Sequence, residues 1–180
     1  MRLLICIILI SSMLPLYANT VQHNGYQYQQ LPVPDWVLPL SNEITAPVTS
    51  AEAAGVNYLV VDEQLSLRQG QYLAYSHIAM QANSPQGLEQ ASEFQMHFAP
   101  DYQTLQLHFI RLTRAGQQQD ITAAADIRLV QREGETDQKI YNGIVTAMVL
   151  LSDIQVGDRI DYGYTVSGTN PIYQGKRSAY

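Results

Sequence analysis

The stretch Phe94-Gln-Met-His-Phe-Ala-Pro-Asp-Tyr-Gln-Thr-Leu-Gln-Leu-His-Phe109 decides the fold. Phe94, Met96 and Phe98 alternate with Gln95 and His97, and after Ala99-Pro100-Asp101 the residues Leu105, Leu107 and Phe109 alternate with Gln106 and His108. A period of two places successive side chains on opposite sides of a strand, so each segment has one core face and one polar face. The same texture extends in both directions. Upstream, Val56 to Leu67 and Gln71 to Gln81 read as strands joined at Arg68-Gln69-Gly70, with Tyr72, Ala74, Ser76, Ile78 and Met80 at alternate positions. Downstream, Ala115-Gly116 ends a strand, Ile127 to Arg132 and Ile144 to Leu151 are further strands, and Gly134 to Gln138 is a charged loop. Asn142-Gly143 marks a turn, and Ile160, Tyr162, Tyr164 and Val166 alternate along the last clear strand.

One segment departs from the pattern. Ser84-Pro85 opens a short helix, with serine as N-cap, proline in the first turn and Leu88 and Ala91 facing inward. Short strands punctuated by turns, with one small helix, predict an all-β antiparallel sandwich over residues 55–180. Residues 19–54 read as irregular, because prolines at 32, 34, 39 and 47 forbid a central strand or a long helix. Trp36 is the expected anchor of that segment against the domain.

Residues 1–18 have the form of a secretory signal. Arg2 precedes an apolar run from Leu3 to Leu14, Pro15 breaks it, and Ala18 offers a small residue before Asn19. The run is shorter than the ~20 residues a spanning helix needs, and Ile144 to Leu151 is shorter still, so no membrane span is expected after cleavage. The single cysteine, Cys6, lies inside the leader. Its loss would leave no disulfide, no cysteine nucleophile and no cysteine-based metal site. The expected location is the periplasm of a Gram-negative bacterium or the exterior. With 10 Lys and Arg against 16 Asp and Glu, the net charge is −6, which argues against nucleic acid as a partner. Twelve tyrosines against three phenylalanines fit half-buried sheet surface, where the ring packs and the hydroxyl stays wet.

Little in the chain composes into chemistry. Were Ala99–Tyr102 to close a hairpin, His97 and His108 would stand about 14 Å apart at ~3.4 Å per residue, too far for one ion. His23 and His77 are isolated. Asp153, Asp158 and Asp161 cluster around Arg159, and turn capping and a surface charge pair account for them. No catalytic, metal or cofactor-binding residue is assigned, and the chain is expected not to be an enzyme.

Four strings resemble a known family. They are Tyr58-Leu-Val-Val-Asp-Glu-Gln64, Phe98-Ala-Pro-Asp-Tyr-Gln-Thr-Leu-Gln-Leu-His108, Arg114-Ala-Gly116 and Leu151-Ser-Asp-Ile-Gln-Val-Gly-Asp-Arg-Ile-Asp-Tyr-Gly-Tyr-Thr-Val-Ser-Gly-Thr-Asn-Pro171. With the Pro34-Asp-Trp-Val37 entry they are similar to the N-terminal domain of unknown function that precedes a transglutaminase-like domain in exported bacterial proteins. That resemblance implies a β sandwich accompanying a papain-like Cys-His-Asp domain, in cis or in trans. Gln174 to Tyr180 reads as a new strand without a following domain, so the sandwich is expected to be incomplete at its C-terminus. The leading expectation is a non-catalytic accessory domain that supports or presents substrate. The alternative is a free-standing periplasmic module binding peptide or glycan through exposed tyrosines, Tyr162 and Tyr164, and the loop residues Asn170 and Pro171. The bland reading of that loop is a structural turn.

Overall fold

The computed structural model describes residues 19–40, 55–68, 70–131 and 143–171. The leader, the charged loop at 134–138 and the strand expected at 174–180 lie outside them. The strands are β1 (Asn19–His23), β2 (Tyr26–Gln30), β3 (Val56–Arg68), β4 (Gln71–Ala82), β5 (Glu93–Phe98), β6 (Gln103–Arg114), β7 (Gln117–Asp120), β8 (Asp126–Gln131), β9 (Val145–Leu150) and β10 (Arg159–Gly168), with one helix, α1 (Pro85–Ser92). A large sheet runs β1-β2-β6-β10-β4-β3, with β7 also paired to β6, and a small sheet runs β5-β9-β8. Every pairing is antiparallel except the short contact of β2 with β6. The expected all-β, sandwich-like fold with one short helix is therefore present.

The core lies between the two sheets. Phe94, Met96 and Phe98 of β5 and Leu129, Val145, Ala147 and Val149 of the small sheet meet Leu105, Leu107, Ile110, Ile160 and Tyr162 of the large one. The Phe94 and Tyr162 rings stack with centroids 3.7 Å apart and planes within 9°. Helix α1 forms as expected: the Ser84 side chain accepts a hydrogen bond from the Gly87 N–H, Pro85 occupies the first turn, and Ala91 is buried.

Three expectations are corrected and one strand is added. Residues 19–30 are a β-hairpin rather than irregular chain. Asn24 and Gly25 both adopt positive φ (51° and 80°), the geometry a two-residue reverse turn demands, and the prolines that argued against strands begin only at Pro32. The β5–β6 connection is no hairpin. Ala99–Tyr102 carries the chain from the small sheet to the large one, because both apolar faces must point into the same core. Phe109 leaves the core face: Gly163 of β10 pairs with Phe109 and Tyr164 with Leu107, so His108 is the extra residue of a bulge. Beyond it the alternation inverts, and Ile110 and Leu112 face inward instead. Ala115-Gly116 does end β6, both residues at positive φ, and the strand after that turn, β7, extends the sheet where the sequence marked no element.

Candidate functional site

The bulge matters because it turns Phe109 onto the outer face of the large sheet. There the register lines up Phe109, Gly163, His77 and Asp62 across β6, β10, β4 and β3. The Phe109 ring lies over Gly163, where an added Cβ would stand 2.6 Å from Phe109 Cε1. Only glycine leaves room for the ring. The His77 imidazole meets Phe109 edge-on at 5.3 Å, and the Arg111 guanidinium carbon lies 4.1 Å from the ring centroid.

A strap, residues 31–40, crosses this face. Leu31 N–H donates to the Leu107 carbonyl (3.1 Å), and the Gln64 amide clamps Leu38 from both sides, accepting from its N–H (2.7 Å) and donating to its carbonyl (2.8 Å). Trp36 packs edge-on against Tyr75 with ring centroids 6.5 Å apart. The expected anchoring role of Trp36 is thus realised on Tyr75. Between strap and sheet is a cavity of about 320 Å³. Val33, Val37, Leu38, Pro39 and Leu40 form its apolar wall, while Asp62, Tyr75, His77, Phe109 and Arg111 form its floor and far side. Burial, reinforced by the Asp62 charge and opposed by Arg111, pushes the Tyr75 phenol up to about 12. It keeps its proton throughout the physiological range.

Beside His77 on the same outer face is Asp161, expected at the surface but only 3% exposed. It accepts from Arg159 Nε at 2.8 Å and faces His77 Nε2 at 3.3 Å. Strands β4 and β6 flank a carboxylate that the sequence placed in an exposed charge pair. Asp158, 2% exposed, accepts from Arg114 Nε (2.9 Å) and Nη2 (2.7 Å) and from Gln155 N–H (2.7 Å). Burial raises its pKa, and these donors more than offset that, holding the carboxyl below the usual carboxylate range. Its role as a turn cap holds, with Arg114 as its charged partner, and the expected pairing of Arg159 with Asp161 is present, though buried rather than at the surface.

His108 occupies the bulge. Its Nδ1 is 2.9 Å from the Leu31 carbonyl, which only accepts, so Nδ1 carries the proton and Nε2 accepts from Thr165 Oγ1 at 2.7 Å. Thr165 has no exposed surface, so this threonine–histidine pair is a structural tie rather than a nucleophile within reach of substrate. Burial lowers the His108 pKa, against hydrogen bonds to Leu31 and Pro32 that raise it. The folded state favours the neutral ring, so the unfolded chain takes up the extra proton. This stability is complete above pH 6.5 and is lost as pH falls through that value toward the lowered folded pKa. The urea midpoint is expected to decline from pH 7 to pH 5, and His108→Gln to flatten that part of the profile.

The other candidates disperse. His97 pairs with Thr146 on the small sheet (3.0 Å), and His23 Nδ1 accepts from Leu129 N–H (3.3 Å). Among the described residues no three metal-ligating side chains converge. Tyr162 is a core residue, 5% exposed, and Tyr164 is partly buried against the same core, so neither is the exposed ring a binding surface needs. Asn170 reaches the Tyr102 hydroxyl (3.4 Å), and Pro171 is exposed beside it. The outer-face cavity was not legible in the sequence. A Gly163 between two aromatics was the one local signal of close approach.

A second surface lies on the inner face. Val61, Leu65 and Leu67 of β3 share the side of the core residues Ile78 and Met80, yet are 67%, 63% and 68% exposed. The small sheet does not reach them. The chain leaves β10 beside them, where Thr169 Oγ1 donates to the Gly70 carbonyl at 3.1 Å.

Together these features define an all-β sandwich domain with a strapped outer face and an uncovered apolar end. The chain belongs to the family described as a Domain of Unknown Function with solved-structure structure, DUF3857, whose model matches residues 68–179. It is also similar to the crystal structure of a putative protease from Parabacteroides distasonis ATCC 8503, with a TM-score of 0.57 and 18% identity. That similarity covers 65% of this chain and 24% of the other, so the shared fold is about a quarter of the longer protein. No curated protein is significantly similar to the chain.

Proposed function

We propose that this is a non-catalytic accessory domain of an exported transglutaminase-like protein, which supports or presents substrate to a catalytic domain outside the sequence described. The uncovered apolar end of β3 carries this reading. Val61, Leu65 and Leu67 sit on a core-facing side that no layer covers among the described residues, which is the mark of a surface that another folded unit buries. Thr169 ties the chain leaving β10 to that same end. In the putative protease, the shared fold likewise accompanies a much longer chain.

The test joins a genetic and a biochemical observation. The reading frame beyond codon 180 is expected to encode a transglutaminase-like domain with its cysteine and histidine. The isolated 180-residue chain is expected to neither hydrolyse nor crosslink peptides. Activity in the isolated chain would sink the reading.

A further inference from the structure

We propose that the outer-face cavity is a binding site for the free C-terminus of a short apolar peptide, with Arg111 taking the carboxylate and Asp62 the ammonium end. The arginines show why. Arg114, Arg128 and Arg159 each close on an aspartate, at 2.7, 2.6 and 2.8 Å. Arg111 is half-buried and closes on none among the described residues. Its ladder neighbours are already engaged: Asp161 by Arg159 and His77, and Asp120 by the Thr122 N–H at 2.9 Å. Stacked on Phe109 it is held in place with its planar fork unspent, the arrangement that suits bidentate carboxylate recognition.

The remaining groups set the class of ligand. The strap contributes only apolar side chains to the wall, which suits the side chains of an apolar peptide. The floor adds two rings and a protonated phenol. Asp62 stands at the other side, half-buried, with one oxygen accepting from Gln64 Nε2 at 2.8 Å. The guanidinium lies over Phe109, and that ring covers Gly163 on β10. Two strand spacings, roughly 10 Å, then separate β10 from the β3 backbone that carries Asp62. An extended dipeptide spans about 7 Å, and a hydrogen bond of about 3 Å at an end makes up the difference, so its two ends match both charges. The volume of about 320 Å³ is at the small end for ligand pockets and suits one or two residues. Such a site would serve an accessory domain and a free-standing one equally, so it stands or falls apart from the proposed partnership.

The experiment is an NMR titration of the isotope-labelled chain with leucyl-leucine, leucyl-leucine amide and cellobiose. Leucyl-leucine is expected to give saturable shifts at Asp62, His77, Phe109 and Arg111. Amidation of its carboxylate should weaken binding about tenfold or more, the scale of one charge-assisted hydrogen bond. Arg111→Gln should abolish the difference between acid and amide, and Arg111→Lys should retain part of it. Equal binding of acid and amide, no saturable shift in the folded wild-type chain, or preferential saturation by cellobiose would each overturn the assignment. The peptide comparison in the wild-type chain holds even if a variant fails to fold.

Discussion

Replacing Phe94 with alanine is expected to lower stability by about 3–5 kcal/mol, enough to leave a marginal domain largely unfolded at 37 °C. The ring is 6% exposed and stacks on Tyr162 of the opposite sheet, so its removal opens a cavity on the seam that joins the two layers. Strand pairing within each sheet cannot collapse to fill it, because β5 is held by β9 and Tyr162 by β4 and β6. Urea unfolding followed by tyrosine fluorescence measures the loss. Leu65→Ala supplies the contrast: at 63% exposure it should shift the isolated chain by no more than about 0.5 kcal/mol. A small effect at Phe94 would mean that the two sheets are not held by this seam.

Gly168→Ala is the second large effect, about 3 kcal/mol, for a different reason. Gly168 ends β10 at φ +143°, in backbone space that L-residues rarely enter, and an added Cβ would stand 2.0 Å from the Tyr102 carbonyl oxygen. The obstacle is backbone, so no rotamer change relieves it. Gly168 pairs with Gln103 just after the crossover between sheets, and the strand end must yield. Loss of amide-exchange protection concentrated at residues 103–105 and 165–168, with the Phe94 region still protected, would show the expected local origin. Uniform loss, or none, would contradict it.

Much of the fold was legible because alternation is local. Phe94, Met96 and Phe98 name a core face whatever strand lies beside them, and all three are buried. Ser84-Pro85 specified its helix through hydrogen bonds confined to one turn. The hairpin at residues 19–30 was missed for a physical reason as well. Its strands are glutamine-rich, and only Asn24-Gly25 marked the turn that the later prolines obscured.

The candidate site was hidden more deeply. Nothing near Phe109 announces that His108 is extra, since a bulge is a mismatch between two strands and exists only once β6 has met β10. The Phe109 ring then needs Gly163, 54 positions away in the chain, and its histidine neighbour comes from β4. Asp161 looked like a surface partner of Arg159 because spacing alone gives a face and not what covers it.

By itself, then, the sequence determined that the chain is built of strands with one capped helix, which residues line each strand's apolar side, and where most turns fall. These follow from steric alternation and local hydrogen bonding, within a few residues of each position. Only the tertiary structure decided which strands share a sheet, that β5 and β6 part company at Ala99–Tyr102, and that the bulge turns Phe109 outward beside Arg111. Those outcomes depend on pairing partners dozens of residues apart, chosen by how two whole faces fill one core.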